Sequence, residues 1–324
     1  MLTAVEELEV HVLVDNATDS LSSAPPYAES EFAYLRRSGM EVLSGTRLCG
    51  AHHGLSCLIT ARRGNTSRTV LFDAGPEADA FERNARRLQV DLGAVESIVL
   101  SHGHWDHGGG MLRALEMIGH ARPGAKIPYY AHPGMFRSRA RATPDGTMQP
   151  MEDVPGIERL TEHGAEVINT TEPSTFLDDV FYVSGEIPRV SAFERGLPFH
   201  YQRSADDLRW EPDPLIVDER YLAVQLAEKG LVIFTACSHA GVINVLEDAR
   251  ARFPQTRLHA LVGGLHLSGP TESLIAPTVE APRGFELTTI AAGHCTGWRA
   301  MTALSNAFGD AVLAPLAVGK RFAF

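Results

Sequence analysis

The stretch AVESIVLSHGHWDHGGG, residues 94–110, is the most informative part of the sequence. Its apolar segment Ile98–Leu100 reads as a short buried strand. That strand runs straight into His102, His104, Asp106 and His107, and Gly108, Gly109 and Gly110 follow. Imidazole is the commonest protein metal ligand, and mixed histidine and carboxylate sets suit zinc, iron or manganese. His102 and His104 alternate with Gly103 and Trp105, so an extended backbone points both the same way, onto one ion. Asp106 and His107 are adjacent, cannot share that direction, and are expected to serve a neighbouring ion. An isolated histidine is usually an ordinary core or surface residue; four ligand-type residues in six positions at a strand end reverse that expectation. The glycines permit close backbone approach and a helix start.

On the N-terminal side, EVHVLVDN (9–16) alternates apolar side chains and ends in a turn signal, the pattern of a strand. Two more strands are expected around 55–60 and 69–73, joined by the polar turn RRGNTS. PEADAFERNARRLQV (76–90) has helical spacing, a helix is expected from Met111 to Ile118, and IPYYAHP (127–133) is another strand. The stretch 133–215, rich in Pro, Gly and charge, reads as an irregular lid-like insertion whose one clear strand is DVFYVSGEIP. Beyond it come a hairpin turning at Glu228–Gly230, a helix after His239 and the strand LHALVGGLHLSG. A helix from Gly284, the strand ELTTIAAGH, a helix from Gly297 and a last strand complete the order. Strand-strand-helix-strand-helix-strand thus occurs once in each half. That order predicts an α/β fold in a single domain over 1–324, with two sheets between outer helices.

Composition narrows the function. A formal charge of −11 argues against nucleic acid or an anionic membrane as partner. Arg137, Arg139 and Arg141 still form a local basic cluster that could meet an anionic substrate. No apolar run approaches the roughly 18 residues of a transmembrane helix, and MLTAVEELEVHVLVDN lacks the basic flank and apolar block of a signal peptide. Cys49, Cys57, Cys237 and Cys295 are widely separated, so free thiols in a reducing cytoplasm are expected. A nucleophile elbow, a Walker-type phosphate loop and a dinucleotide-binding glycine fingerprint are all missing.

His102-Gly103-His104-Trp105-Asp106-His107 resembles the H-x-H-x-D-H signature of the metallo-β-lactamase superfamily, and LFDAG, ending at Gly75, resembles its second-hairpin motif. The likeness extends through Asp15-Asn16, HGLS (53–56), SGEIPR (184–189), ACSHAG (236–241), GGLHL (263–267) and GHCTG (293–297), nearly the whole sequence. Together these resemble a subgroup of metal-dependent hydrolases similar to 7,8-dihydropterin-6-ylmethyl-4-(β-D-ribofuranosyl)aminobenzene-5'-phosphate synthase. The resemblance implies a four-layer αββα sandwich and two divalent metal ions, zinc first, with manganese or iron as alternatives. It implies His102, His104 and His239 around the first ion and Asp106, His107 and His294 around the second.

The sequence departs from the superfamily pattern in one respect. Better-known members carry a mid-sequence G-H-T-x-G histidine and then a T-G-D aspartate that bridges both ions. Here SGEIPR stands in the middle and TACSH where T-G-D would fall, which leaves Cys237, His239 or water for the bridging position. Asp73 is expected to orient a ligating histidine, as partners of metal-bound imidazoles do. His266 could bind substrate or donate a proton, and Asp106 could also accept a proton from the attacking water. His53 is balanced between site and surface, whereas His132 leans to the surface. Cys295 adjoins a ligand but is expected to be an inert buried thiol. His11, His120, His163 and His259 have no partner pattern.

The expected activity is hydrolysis of a small-molecule ester, lactone or phosphate-type substrate by a metal-activated water. The alternative implied by the subgroup is a transferase joining a dihydropterinylmethyl diphosphate to a ribofuranosylaminobenzene phosphate. Further alternatives are a mononuclear iron redox enzyme and a non-catalytic metal-binding protein. The partner is expected to be a small molecule, anionic or aromatic; the sequence sets no oligomeric state.

Overall fold

A computed structural model describes residues 1–324. Strict alternation along its strands provides each sheet with two apolar faces. In the strand Thr66–Phe72, Val70 and Phe72 enter one core and Leu71 another. In Gly230–Thr235, Val232 and Phe234 point one way and Leu231 and Ile233 the other. Both sheets are therefore covered on both sides.

The first sheet has eight strands in the order Ala28–Glu29, Arg321–Ala323, Glu7–Val14, Ser56–Arg63, Thr66–Phe72, Val95–Val99, Ile127–Ala131, Ala165–Asn169. The second has six, ordered Ser174–Phe176, Phe181–Val183, Leu222–Leu226, Gly230–Thr235, Leu258–Gly264, Thr289–Gly293. Val10, Ile59 and Phe72 of the first sheet share a core with Phe181, Phe234 and Val262 of the second. Full burial of each such residue contributes about 1.5–3 kcal/mol. The outer face of the first sheet is covered by the helices Ala78–Leu88 and Met111–Ala121, through Phe81, Leu88, Leu115 and Ile118. Val242–Arg252 and Trp298–Phe308 cover the second, through Val245, Leu246 and Leu304. This is the expected four-layer αββα sandwich.

Two expectations need correction. The stretch 133–215 is not one irregular insertion. Its strands Ala165–Asn169, Ser174–Phe176 and Phe181–Val183 belong to the main sheets, and it holds the helix Ile157–Glu162. What stands apart is a four-stranded sheet ordered Trp210–Pro212, His200–Arg203, Arg139–Ala142, Met148–Pro150. Strands of three or four residues are too short to declare a period, which hid them in the sequence. The helix expected from Gly284 lies earlier, at Ile275–Glu280, followed by a 3-10 turn at Ala281–Phe285.

The strands from Thr66–Phe72 to Ala165–Asn169 run parallel, as do the last three of the second sheet. Segments leaving the carboxyl ends of parallel strands converge on one edge of a sandwich, where ligands of open α/β sheets bind. Asp73, the 101–107 segment, Cys237 to His239, His266 and His294 all follow such ends.

Candidate metal centre

Two groups of donors meet at that edge. In the first, His102 Nε2 lies 3.0 Å from His104 Nδ1 and 3.2 Å from His239 Nε2. In the second, His107 Nε2 lies 3.2 Å from His294 Nε2, and Asp106 Oδ2 is 3.4 Å from His294 Nε2 and 3.7 Å from His107 Nε2. Cys237 Sγ, 3.3 Å from His107 Nε2, groups both with His102 and His239 and with His107 and His294. The six expected ligands are thus brought together as two triads, and the thiol stands where the sequence offered no bridging aspartate.

The loop geometry that achieves this is tight. A Cβ on Gly109 would lie 1.8 Å from the Pro76 carbonyl oxygen, so only glycine fits behind the motif. Asp73, Ser238, His266 and His294 all take positive φ values, at 59°, 60°, 42° and 49°. Left-handed backbone costs a non-glycine residue about 1–3 kcal/mol, and such strain gathers at functional sites.

Each histidine of the triads except His239 has its second ring nitrogen engaged. Ser101 Oγ donates to Asp73 Oδ2 at 2.7 Å and is left to accept from His102 Nδ1–H at 2.9 Å. His107 Nδ1–H donates to Asp73 Oδ2 at 2.7 Å. The Asp15-Asn16 pair holds His294: Asp15 accepts its backbone N–H at 2.9 Å, and Asn16 Oδ1 accepts from Nδ1–H at 3.0 Å. Such bonds fix ring direction, so His102, His107 and His294 turn Nε2 inward. His239 Nδ1 is buried without a partner, but the loop carrying it is pinned by Glu219, which accepts from His239 N at 2.8 Å.

Electrostatics divide the two triads. Burial, followed by the charge of neighbouring histidines, pushes His102, His104 and His239 well below the usual imidazole range, so they are neutral imidazoles. Burial also works against a charged His107, but Asp106 and Asp73 outweigh it and raise His107 to about 9. Asp106 is correspondingly held below the usual carboxylate range: burial opposes its charge, and His107 and His294 favour it.

A cavity of about 390 Å³ opens over both triads. Its walls include Trp105, Met151, Leu197, Phe199 and Pro270, with His53, His266 and Arg141 among its polar groups. His53 sits at the rim, 3.4 Å from Asp106. His266 packs against His239 at 4.4 Å between ring centres with the rings tilted, and its Nδ1 is buried without a partner. His132 stays outside, as expected, but is buried, held by Gly134 N–H and Glu186. Within the basic cluster, Arg139 corrects the expectation of a substrate contact: it is buried and paired with Asp218 at 2.7 Å, which also accepts from Gly103 N–H. Arg141 alone of the three reaches the cavity. Cys295 is a buried free thiol whose Sγ lies 3.2 Å from Cys237 Sγ.

His200 carried no signal in the sequence. Its Nε2 lies 3.0 Å from His104 Nε2, and its Nδ1 donates to the Asp213 carbonyl oxygen at 2.9 Å. It comes from the small sheet, in a stretch without periodicity, and only strand pairing reveals where it points. Glu219 and Asp218 were likewise undetectable, since their partners, backbone N–H groups and the Arg139 guanidinium, are distant in sequence.

The beta-lactamase superfamily domain matches residues 68–170, the span that holds Asp73 and the whole histidine-aspartate motif. The protein is 26% identical to 7,8-dihydropterin-6-methyl-4-(beta-D-ribofuranosyl)-aminobenzene-5'-phosphate synthase of Methanocaldococcus jannaschii, across 80% of its own length and 86% of the relative's. It is 29% identical to an uncharacterised protein of the same organism, across 79% and 88%. A solved structure of a metal-dependent hydrolase of the beta-lactamase superfamily superposes with TM-score 0.69 at 21% identity, covering 97% of this protein and 98% of that one. The metallo-beta-lactamase fold protein YhfI from Bacillus subtilis does so with TM-score 0.50 at 11% identity, covering 98% and 99%. With the H-x-H-x-D-H motif at a parallel strand end and the αββα sandwich around it, the protein has the metallo-β-lactamase fold, matches the beta-lactamase superfamily domain over residues 68–170, and is similar to the dihydropterin synthase along most of its length.

Proposed function

We propose that the protein is a metal-dependent hydrolase of a small anionic molecule, with a binuclear centre in which Cys237 is shared. The observation that carries this reading is the pair of facing triads with one thiol common to both. The donors fit divalent ions. Asp73 and Asn16 occupy the Nδ1 atoms of His107 and His294, so their Nε2 atoms confront each other at 3.2 Å. A proton, which the raised His107 keeps at neutral pH, or a metal ion in its place must lie between them, and the spacing approaches the edge, about 3.3 Å, of a tetrahedron with zinc–nitrogen bonds of about 2.0–2.1 Å. His102, His104 and His239 would hold one ion, and Asp106, His107 and His294 the other. Zinc is the first choice for such a set, with manganese or iron next.

Bound divalent ions supply Lewis acidity and water activation near neutral pH. The protein's own residues do the rest. Asp73 holds His107 directly and His102 through Ser101, so one buried carboxylate aligns a member of each triad. Arg141 receives an anionic group of the substrate, while Trp105, Phe199 and Met151 pack against a flat or apolar part. His266, facing the cavity beside His239, is placed to pass a proton to a leaving group.

A second reading is a transferase, favoured by the name of the 26%-identical relative. Its acceptor would take the place of water. The completeness of both triads disfavours a mononuclear iron redox enzyme and a non-catalytic metal holder. Elemental analysis of the purified protein is expected to find two zinc or manganese ions, and a panel of phosphodiesters, lactones and thioesters is expected to contain a hydrolysed substrate. One iron per molecule would contradict the binuclear reading. Pyrophosphate release from a pterin diphosphate, only with an arylamine present, would replace hydrolase by transferase.

A further inference from the structure

Three of the six proposed ligands are aligned from loops of the sandwich itself, by Asp73, Ser101 and Asn16. His104 is aligned from outside those loops. Its Nε2 meets another imidazole, that of His200, which is fully buried and belongs to the small sheet. The direction of this series of bonds follows from its far end. A carbonyl oxygen can only accept, so His200 Nδ1 carries hydrogen toward Asp213 O, with Asp213 Oδ2 a further 3.3 Å neighbour. His200 Nε2 is then a lone pair, and the 3.0 Å contact requires His104 to donate from Nε2–H. That leaves His104 Nδ1 bare, and Nδ1 is the atom 3.0 Å from His102 Nε2 in the first triad.

We infer that His200 is a positioning residue of the first triad: through the relay Asp213–His200–His104 it fixes the tautomer and ring direction of His104. This rests on the reading of the site as a metal centre. The consequence is that the small sheet is part of that centre. His200 lies on the strand paired with Arg139–Ala142, which carries Arg141 into the cavity, and Phe199 beside it lines the same wall. A molecule seated against Arg141 and Phe199 therefore presses on the element that holds a metal ligand. The second triad has no such link, because its partners come from the turns after Glu7–Val14 and Thr66–Phe72.

The test uses the full-length protein as wild type, His200→Leu and His200→Gln. Zinc affinity is measured by competition with a chromophoric chelator, the cobalt(II) absorption spectrum is recorded, and long-range 1H–15N correlations report each ring tautomer. His200→Leu keeps the volume but cannot accept a hydrogen bond, and it is expected to bind one of the two ions about 10–100-fold more weakly, the usual cost of losing an outer partner of a ligand. Its cobalt spectrum should change while the other ion keeps its affinity. His200→Gln offers an amide oxygen to His104 Nε2–H and is expected to recover most of the affinity and the wild-type spectrum. A role in packing alone predicts the reverse order, with Leu tolerated at least as well as Gln. Wild-type affinity and spectrum in His200→Leu would overturn the proposal. So would hydrogen on Nδ1 of His104 in the wild type, whatever the variants do. A wild-type protein that takes up no divalent ion would overturn the metal centre, and this proposal with it.

Discussion

The two triads differ in what surrounds them. The second is charged and held from within the sandwich: Asp106 and Asp73 face His107, and the Asp15-Asn16 turn holds His294. The first is neutral, made of three imidazoles that burial keeps unprotonated, and it leans on the small sheet through His200. The difference separates a rigid carboxylate-bearing position from one whose alignment depends on an element over the substrate cavity. The largest effect is expected at Asp73, the carboxylate that aligns a histidine of each triad. Asp73→Ala is expected to weaken both ions about 10–100-fold each and to abolish hydrolysis, whereas His104→Ala should release only one ion. Metal stoichiometry of the two variants, read by native mass spectrometry, checks this; equal loss in both would erase the distinction.

The next effect concerns the shared thiol. Cys237→Asp restores the residue type the superfamily places at T-G-D, so it is expected to keep two ions but shift preference from zinc toward manganese, since carboxylate is a harder donor. Cys237→Ala is expected to lower occupancy of both positions. Chelator competition with zinc and manganese measures both. A Cys237→Ala variant with unchanged affinities would remove the thiol from the centre.

Arg141 probes the cavity rather than the ions. Arg141→Gln is expected to raise KM for an anionic substrate about 10–100-fold, the range of a lost charged hydrogen bond, with metal content unchanged. Unchanged KM would send the anion elsewhere.

The smallest effect tests how the segment leading into the small sheet is tied down. Glu194 accepts backbone N–H bonds from Ile243 and Asn244 at the start of the helix that follows His239. Burial pushes its pKa from 4.5 up to about 7. A folded-state value above the unfolded one means stability is fully present below about pH 4.5 and is lost as pH rises through about 7. The loss is at most about 3 kcal/mol. Metal-free Glu194→Gln should lack this component, so its denaturant midpoint should fall less than wild type's between about pH 5 and 8, on either side of the transition. Parallel profiles would show that Glu194 does not titrate in this range.

What was legible in the sequence follows from how locally each feature is encoded. His102, His104, Asp106 and His107 fall within six positions, so their spacing alone sorts them into two directions, and the two groups of side chains keep that sorting. His239 and His294 could be found because each follows an apolar strand whose pattern is plain. His200 could not, since its strand is four residues long and takes its place only by pairing with Arg139–Ala142. Arg139 was misread for a related reason: charge alone suggested exposure, and its partner Asp218 is distant in sequence. The helix at Ile275–Glu280 is short, holds Pro277 and is followed by Pro282 in the 3-10 turn, which displaced its expected position.

Everything above depends on both triads holding an ion and sharing Cys237. An anomalous-difference map from a zinc-loaded crystal tests this without intermediaries. Two peaks about 3.5–4 Å apart are expected, one against His102, His104 and His239 and one against Asp106, His107 and His294, with the Cys237 sulfur between them. A single peak confined to one triad, or a Cys237 sulfur turned away from both peaks, would contradict it.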